Sequence, residues 1–403
     1  YISEKDMNNA FDSKLAFKNA SFGKDLTSLI YYNDAVMNEL NSLKSIPKSY
    51  LDTGNIKIYT NLDLDAQKAL EEGISKNAVD DKTEVSKIML NPKNGGVIAL
   101  IGGINYGKSQ FNRVLNSYRQ PGSTVKPFLY YRAIENGFTP SSTFFSKETK
   151  FYFDNKKSYS PKNYGNIYAV KTHLFLGEDE LYNTLRSAGI SSSMEKSPSL
   201  ALGTYEVNIT ELAGAYSALA NGGKKVKPHL ISRVLDNKGN VLYSYKEKKE
   251  NPIFNSDATF IISELLTSTY DSNLVSYTYP TCYSMIPSIT HKYAIKTGST
   301  DTDSWVVGYT PEVVFASWAG YDDSSNISEK VISGNKSSWI TSMEKYFDIK
   351  DASWYKTPND VVGVLVNPVT GNVVSNESEN KKVLYYLKGT EPVIKEGVYD
   401  KKK

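Results

Sequence analysis

The sequence predicts a mixed α/β chain of the α+β kind: a central antiparallel sheet flanked by helices, with an all-helical subdomain beside it. Three observations carry this. Two hairpin patterns lie far apart in the chain, one at 85–101 around Asn91-Pro92-Lys93-Asn94-Gly95-Gly96 and one at 305–318 around Thr310-Pro311-Glu312. Apolar residues recur at helical spacing over 123–137, 178–189 and 208–221. A further short strand, His291 to Ile295, runs into the second hairpin, so the two halves are expected to share one sheet.

From the N-terminal end, residues 24–46 carry a helical stripe of Leu26, Leu29, Ile30, Val36, Met37 and Leu40, followed by a linker with Pro47 and Gly54. Ile56 to Tyr59 reads as a strand. Asp63-Leu64-Asp65 then opens a helix running through Ile74, with acidic residues in the first turn, where the helix dipole favours them. Near the other end, Val361–Val366, the turn Asn367-Pro368-Val369-Thr370-Gly371 and Asn372–Val374 repeat the strand, Asn-Pro turn, strand theme. They predict a small β appendage followed by a charged tail.

Composition removes several function classes. With 47 Lys and Arg against 44 Asp and Glu and a net charge of +3, no basic block suggests nucleic acid. A single cysteine, Cys282, excludes an intramolecular disulfide and leaves no cysteine cluster for zinc. The three histidines, His173, His229 and His291, are scattered and read as structural, which argues against a Ser-His-Asp triad and a metal site. The 30 tyrosines read as composition bias, with an aromatic wall around a sugar or peptide groove as the other reading.

One serine has a base at hand without histidine. In Gly122-Ser123-Thr124-Val125-Lys126, the lysine three positions on would lie beside Ser123 on one helical face and could take its proton. Pro121 and Gly122 make a sharp entry, and Val125, Phe128, Leu129, Ala133 and Ile134 would bury the helix. Ser123 is therefore expected in the first turn, where free N–H groups and the dipole favour an alkoxide or oxyanion. A serine and lysine at this spacing arise by chance in most chains. Lys296-Thr297-Gly298 at the end of a strand changes that, because glycine there often marks close approach of a ligand to the backbone.

A Ser-x-x-Lys helix followed by a Lys-Thr-Gly strand is shared by penicillin-binding proteins and class A β-lactamases. The likeness extends through Gly122 to Pro127, Ala201-Leu202-Gly203, Ala220-Asn221-Gly222-Gly223, Lys296-Thr297-Gly298-Ser299 and Trp305-Val306-Val307-Gly308-Tyr309-Thr310-Pro311. In that order the chain, over about residues 50–370, resembles the transpeptidase domain of class A, bifunctional penicillin-binding proteins. The resemblance implies the penicillin-binding protein/serine β-lactamase-like fold and a D,D-transpeptidase that cross-links peptidoglycan stem peptides through a Ser123 acyl-enzyme and is acylated by β-lactams. Ser123 is then the nucleophile and Lys126 its base, neutralised by burial and by the nearby Lys296 charge. The backbone N–H groups of Ser123 and Ser299 form the oxyanion hole. Lys296, Thr297 and Ser299 hold the substrate carboxylate beside Gly298, and Asn166 bonds the substrate amide. No metal or organic cofactor is implied.

The pattern is incomplete at the third wall of the site. The family's Ser-x-Asn motif aligns best with Tyr164-Gly165-Asn166, putting tyrosine in the serine position, and the interval from Ser123 is short by about fifteen residues. Either the segment is lost, or the sequence joins across it between Tyr164 and Asn166. Residues 1–50 resemble the remnant and linker of a preceding glycosyltransferase domain, 51–360 the transpeptidase domain, and 361–403 the appendage and tail. No run of about 20 apolar residues is present, so the expectation is an extracytoplasmic portion of a protein held at the bacterial cell membrane by an N-terminal anchor outside this chain. A D,D-carboxypeptidase, a β-lactamase of the same fold, and a β-lactam-binding sensor or scaffold with little turnover are the alternatives. No glutamate sits in a convincing loop context to activate a deacylating water, which speaks against the lactamase.

Overall fold

The computed structural model describes residues 29–77, 79–142, 151–152, 158–159, 169–247, 251–275 and 278–392. In chain order the elements are α1 (Leu29–Ser42), α2 (Lys48–Thr53), β1 (Ile56–Thr60), α3 (Leu64–Ser75), β2 (Glu84–Leu90), β3 (Val97–Ile101), α4 (Arg113–Asn116), β4 (Tyr118–Arg119), α5 (Lys126–Glu135), β5 (Phe151–Tyr152), β6 (Ser158–Tyr159) and α6 (Ala169–Leu176). There follow α7 (Glu178–Ala188), β7 (Val207–Asn208), α8 (Ile209–Ala220), β8 (Ile231–Asp236), β9 (Val241–Ser244), α9 (Ser256–Leu266), β10 (Ala294–Ser299), β11 (Asp303–Tyr309), β12 (Val314–Gly320), α10 (Glu329–Phe347), β13 (Val361–Val366) and β14 (Lys382–Leu387).

The central sheet has five antiparallel strands in the order β10-β11-β12-β2-β3. Every residue of β11 and β12 is buried, because both faces are covered. Alternation sends Trp305, Val307 and Tyr309 to one core and Val306 to the other. The first core joins the sheet to the helical lobe of α5, α7, α8 and α9, while the second seals it under α10 and α3. Asp63 caps α3 by accepting from the N–H groups of Asp65 and Ala66, as its place before the apolar run requires. A second sheet, β1-β8-β9, is tied to α1 by Glu39, whose carboxylate accepts from the N–H groups of Leu230 and Ile231.

Two local expectations need correction. The strand expected at 291–295 begins only at Ala294 and continues through the Lys-Thr-Gly segment to Ser299. Tyr293 leaves the ladder because the Tyr270 hydroxyl engages both its N–H and its carbonyl. In the appendage, β13 pairs with β14 and not with 372–374, where Val373 makes a single bridge to Val366. The apolar run Val383 to Leu387 wins that pairing: its Leu384 and Tyr386 are buried with Val366, while Lys382 anchors the hairpin to Asp271 at 2.7 Å.

Under α10 the second core contains a lysine. Lys87 is fully buried, donates to the Ser338 hydroxyl at 2.7 Å, and lies 5.5 Å from the Phe315 ring centre. Burial lowers its pKa to about 7. The folded value lies below the ordinary one, so between pH 7 and the ordinary lysine range the unfolded chain holds more protons and stability rises with pH. The stability of the wild type relative to Lys87→Met is therefore expected to increase by about 1 kcal/mol per pH unit above pH 7. Denaturant titrations across that range check it, and a constant difference would contradict it.

Candidate active site

The chain reaches Ser123 through a tight turn. A 3-10 segment spans Gly122–Val125, and α5 starts only at Lys126. Ser123 was expected within the first helical turn; it lies just ahead of it. The reason is Pro127, which has no N–H to give to the Ser123 carbonyl, so Lys126 N–H takes that acceptor in 3-10 register. In this register residues three apart eclipse, which stacks Lys126 beside Ser123. Lys126 is 5% exposed, whereas Ser123 is half-buried.

Strand β10 stands against this turn. Gly122 has φ +54°, and a Cβ there would come within 3.0 Å of the Ser299 carbonyl oxygen and 3.3 Å of its nitrogen. A Cβ on Gly298 would lie 2.3 Å from the Pro121 oxygen and 2.8 Å from Thr124 Cγ2. Backbone thus meets backbone at two glycines, and the N–H groups of Ser123 and Ser299 belong to neighbouring stretches of chain. Several bonds hold the turn in place: Trp305 Nε1 donates to the Gln120 carbonyl at 2.8 Å, Tyr216 Oη to the Thr124 carbonyl at 2.6 Å, and Gly122 N–H to Gly203 at 3.3 Å. Trp305 and Tyr216 escaped notice as site supports because an indole in a strand and a tyrosine in a helix look like ordinary core.

The electrostatics of the two lysines are linked. Burial, and then the Lys296 charge, lower the Lys126 pKa to about 8. Lys296 is also lowered to about 8, by burial and less by Lys336 on α10, against an opposing effect of Cys282. Its Nζ donates to the Thr297 carbonyl at 2.6 Å. Cys282 is fully buried and its thiol is pushed up by that burial, which leaves it inert as a nucleophile. Among the described residues β10 pairs with β11 alone, and its other edge runs along the turn that carries Ser123.

The structure thus brings Ser123, Lys126, Lys296, Thr297, Gly298 and Ser299 to one place. Asn166 and Tyr164 lie outside the described residues. A serine beside a buried amine, with two backbone N–H groups near it and an ammonium-lined strand edge, can support acyl transfer.

Comparison with known proteins gives the class. Residues 85–338 match the model of the penicillin binding protein transpeptidase domain, and the chain belongs to that family. It is 36% identical to penicillin-binding protein 2D of Bacillus subtilis over 97% of this chain and 60% of that protein. Against penicillin-binding protein 1A of Aquifex aeolicus the figures are 28%, 97% and 55%. The chain therefore spans between about half and two thirds of the length of these relatives. Among solved structures, penicillin-binding protein 1A of Haemophilus influenzae superposes with a TM-score of 0.79 at 19% identity, over 98% of this chain and 80% of that one. The PonA1 protein of Mycobacterium tuberculosis, in complex with penicillin V, gives 0.65 at 21%, over 82% and 96%. Both likenesses support the shared fold.

Proposed function

We propose that this chain is a serine D,D-transpeptidase that cross-links peptidoglycan stem peptides and is acylated by β-lactams. The observation that carries the reading is the pair of lysines around Ser123, one buried under the turn and one on the facing strand, each lowered to about 8. Neutral Lys126 takes the proton of Ser123 as Oγ attacks the carbonyl between two D-alanines. The tetrahedral oxyanion rests on the N–H groups of Ser123 and Ser299. As the C–N bond breaks, the Lys126 proton passes to the departing D-alanine. An amine of a second stem peptide then attacks the ester, forming the cross-link and restoring Ser123. Lys296 keeps its proton and, with Thr297 and Ser299, holds the donor's terminal carboxylate, while Asn166 bonds its amide. Residues 51–360 form the transpeptidase unit, with 1–50 as a linker from a preceding domain and 361–403 as the appendage. On this reading the chain acts on its substrate at the extracytoplasmic face of the membrane.

Two reagents test this. A fluorescent penicillin should leave a stable adduct on the peptide that contains Ser123, and a D-Ala-D-Ala-type thioester should be converted to an amide when an amine acceptor is supplied. Fast hydrolysis of the drug would make the protein a lactamase, hydrolysis of the thioester without amide a carboxypeptidase, and labelling without thioester turnover a sensor.

A further inference from the structure

Apart from the catalytic site, the fold holds a cavity of about 780 Å³ between the end of α7, the first turns of α8, the segment 225–228 and the end of β9. None of its described lining residues belongs to the catalytic turn or to β10. Five hydrogen-bond donors at this cavity are unspent. The ammonium groups of Lys225, Lys227 and Lys246 and the hydroxyls of Tyr243 and Tyr245 make no hydrogen bond or ion pair among the described residues, and all three lysines are exposed. Two acids line the same walls. Glu211 is already taken up by the Ser191 N–H and by the hydroxyls of Ser191 and Ser192, which leaves Glu247 as the acid without a partner. A site with this excess of donors is suited to a ligand that is anionic and rich in acceptors.

The donors stand on backbone that is fixed before any ligand arrives. Gly95, at φ +81°, lies so close to the 225–228 segment that a Cβ on it would come within 2.4 Å of the Lys227 carbonyl oxygen. His229 N–H donates to the Gly95 carbonyl at 3.0 Å, and the Pro228 ring packs on Gly214 of α8. The Lys225 stem crosses Gly189 at the end of α7. Tyr245 is held by the His229 ring, stacked at 3.4 Å with 8° between the planes, and by its own N–H on the Ser232 carbonyl. Tyr243 lies two residues before it and shares its face of the strand.

The spacing selects the kind of anion. Val226 is buried between two exposed lysines, the alternation of an extended segment, so the Lys225 and Lys227 stems start about 7 Å apart. Successive phosphates joined through a short polyol span a similar length. Lysine binds phosphate as a point charge, whereas a planar carboxylate is better matched by the arginine fork, which this cavity lacks. The apolar wall of Val226, Pro228 and the two tyrosine rings suits the carbon chain between the phosphates.

We propose that this cavity binds a phosphodiester-linked polyol or sugar polymer, with Lys225, Lys227 and Lys246 on successive phosphates. The test measures binding of a short, end-labelled poly(glycerol phosphate) to the whole chain by fluorescence anisotropy over a range of salt. Three phosphate contacts predict that log K falls with log salt with a slope of about −2. In Lys225→Gln/Lys227→Gln the slope should shrink to about −0.7 and the affinity at low salt should drop about tenfold. Lys108→Gln/Lys330→Gln removes the same charge from exposed positions elsewhere and should bind as the wild type does. Far-ultraviolet circular dichroism and Tm confirm that both variants are folded, and this readout is independent of the acyl-transfer chemistry. No binding by the wild type, equal losses in the two variants, or equal binding of polygalacturonate, a polycarboxylate, would overturn the proposal. An oligothymidylate that bound more tightly than poly(glycerol phosphate) would reassign the cavity to nucleic acid and overturn it as well.

Discussion

Ser123→Ala is expected to abolish covalent labelling by a fluorescent penicillin, and Lys126→Arg to slow it by about 10²–10⁴-fold, the contribution of a positioned general base. Arginine keeps the charge at the buried site and cannot lose its proton, so it isolates the base function from the charge itself. In the wild type, burial and then the Lys296 charge lower Lys126 to about 8, within reach of neutral pH. The acylation rate should climb as pH rises and Lys126 sheds its proton. It should fall again where Lys296, also near 8, loses the charge that holds the carboxylate. The two groups interact, so the profile is a bell around pH 8 whose limbs belong to the pair. Labelling time courses from about pH 6 to 10 measure it. A flat profile in the wild type, or a fast Lys126→Arg, would remove Lys126 from the reaction.

Gly298→Ala is expected to cost about 10²–10³-fold in acylation, the scale of a displaced oxyanion donor. The added Cβ would sit 2.3 Å from the Pro121 carbonyl oxygen, far inside contact distance. That oxygen already accepts from Thr124 Oγ1 at 2.9 Å, so the turn cannot yield easily. Strand β10 must move away instead, and the Ser299 N–H moves with it. Near-normal far-ultraviolet circular dichroism together with slow labelling would separate this displacement from unfolding. An unchanged labelling rate would show that the turn accommodates a methyl group and that the backbone approach at Gly298 has no part in the reaction.

Much of the chain could be read locally because its signals are local. The apolar spacing of α3, α5, α7 and α8 and the Asp63 cap of α3 lie within single elements, and the Asn-Pro turn joins the neighbours β2 and β3. Ser123 and Lys126 could be paired because both belong to one turn. The appendage differs for the opposite reason: Asn372–Val374 is the neighbour in sequence, but burial of Leu384 and Tyr386 with Val366 gives the pairing with β13 to the more distant Lys382–Leu387.

By itself, then, the sequence determined the helix and strand periods, the nucleophile and lysine in adjacent register, and the ordered motifs that mark the family. Each period and each motif depends on residues a few positions apart, and the order of the motifs is read along the chain without any contact between them. Tertiary structure alone decided how close β10 comes to the catalytic turn, since Trp305 and Gln120 are 185 residues apart and the approach is set by glycines whose neighbours are backbone atoms of the other segment. It also decided which lysines are depressed. Burial and the distance to another charge set a pKa, and both belong to the packed molecule, so Lys87, Lys126 and Lys296 differ from the chain's surface lysines only once β2, β10 and α5 are covered.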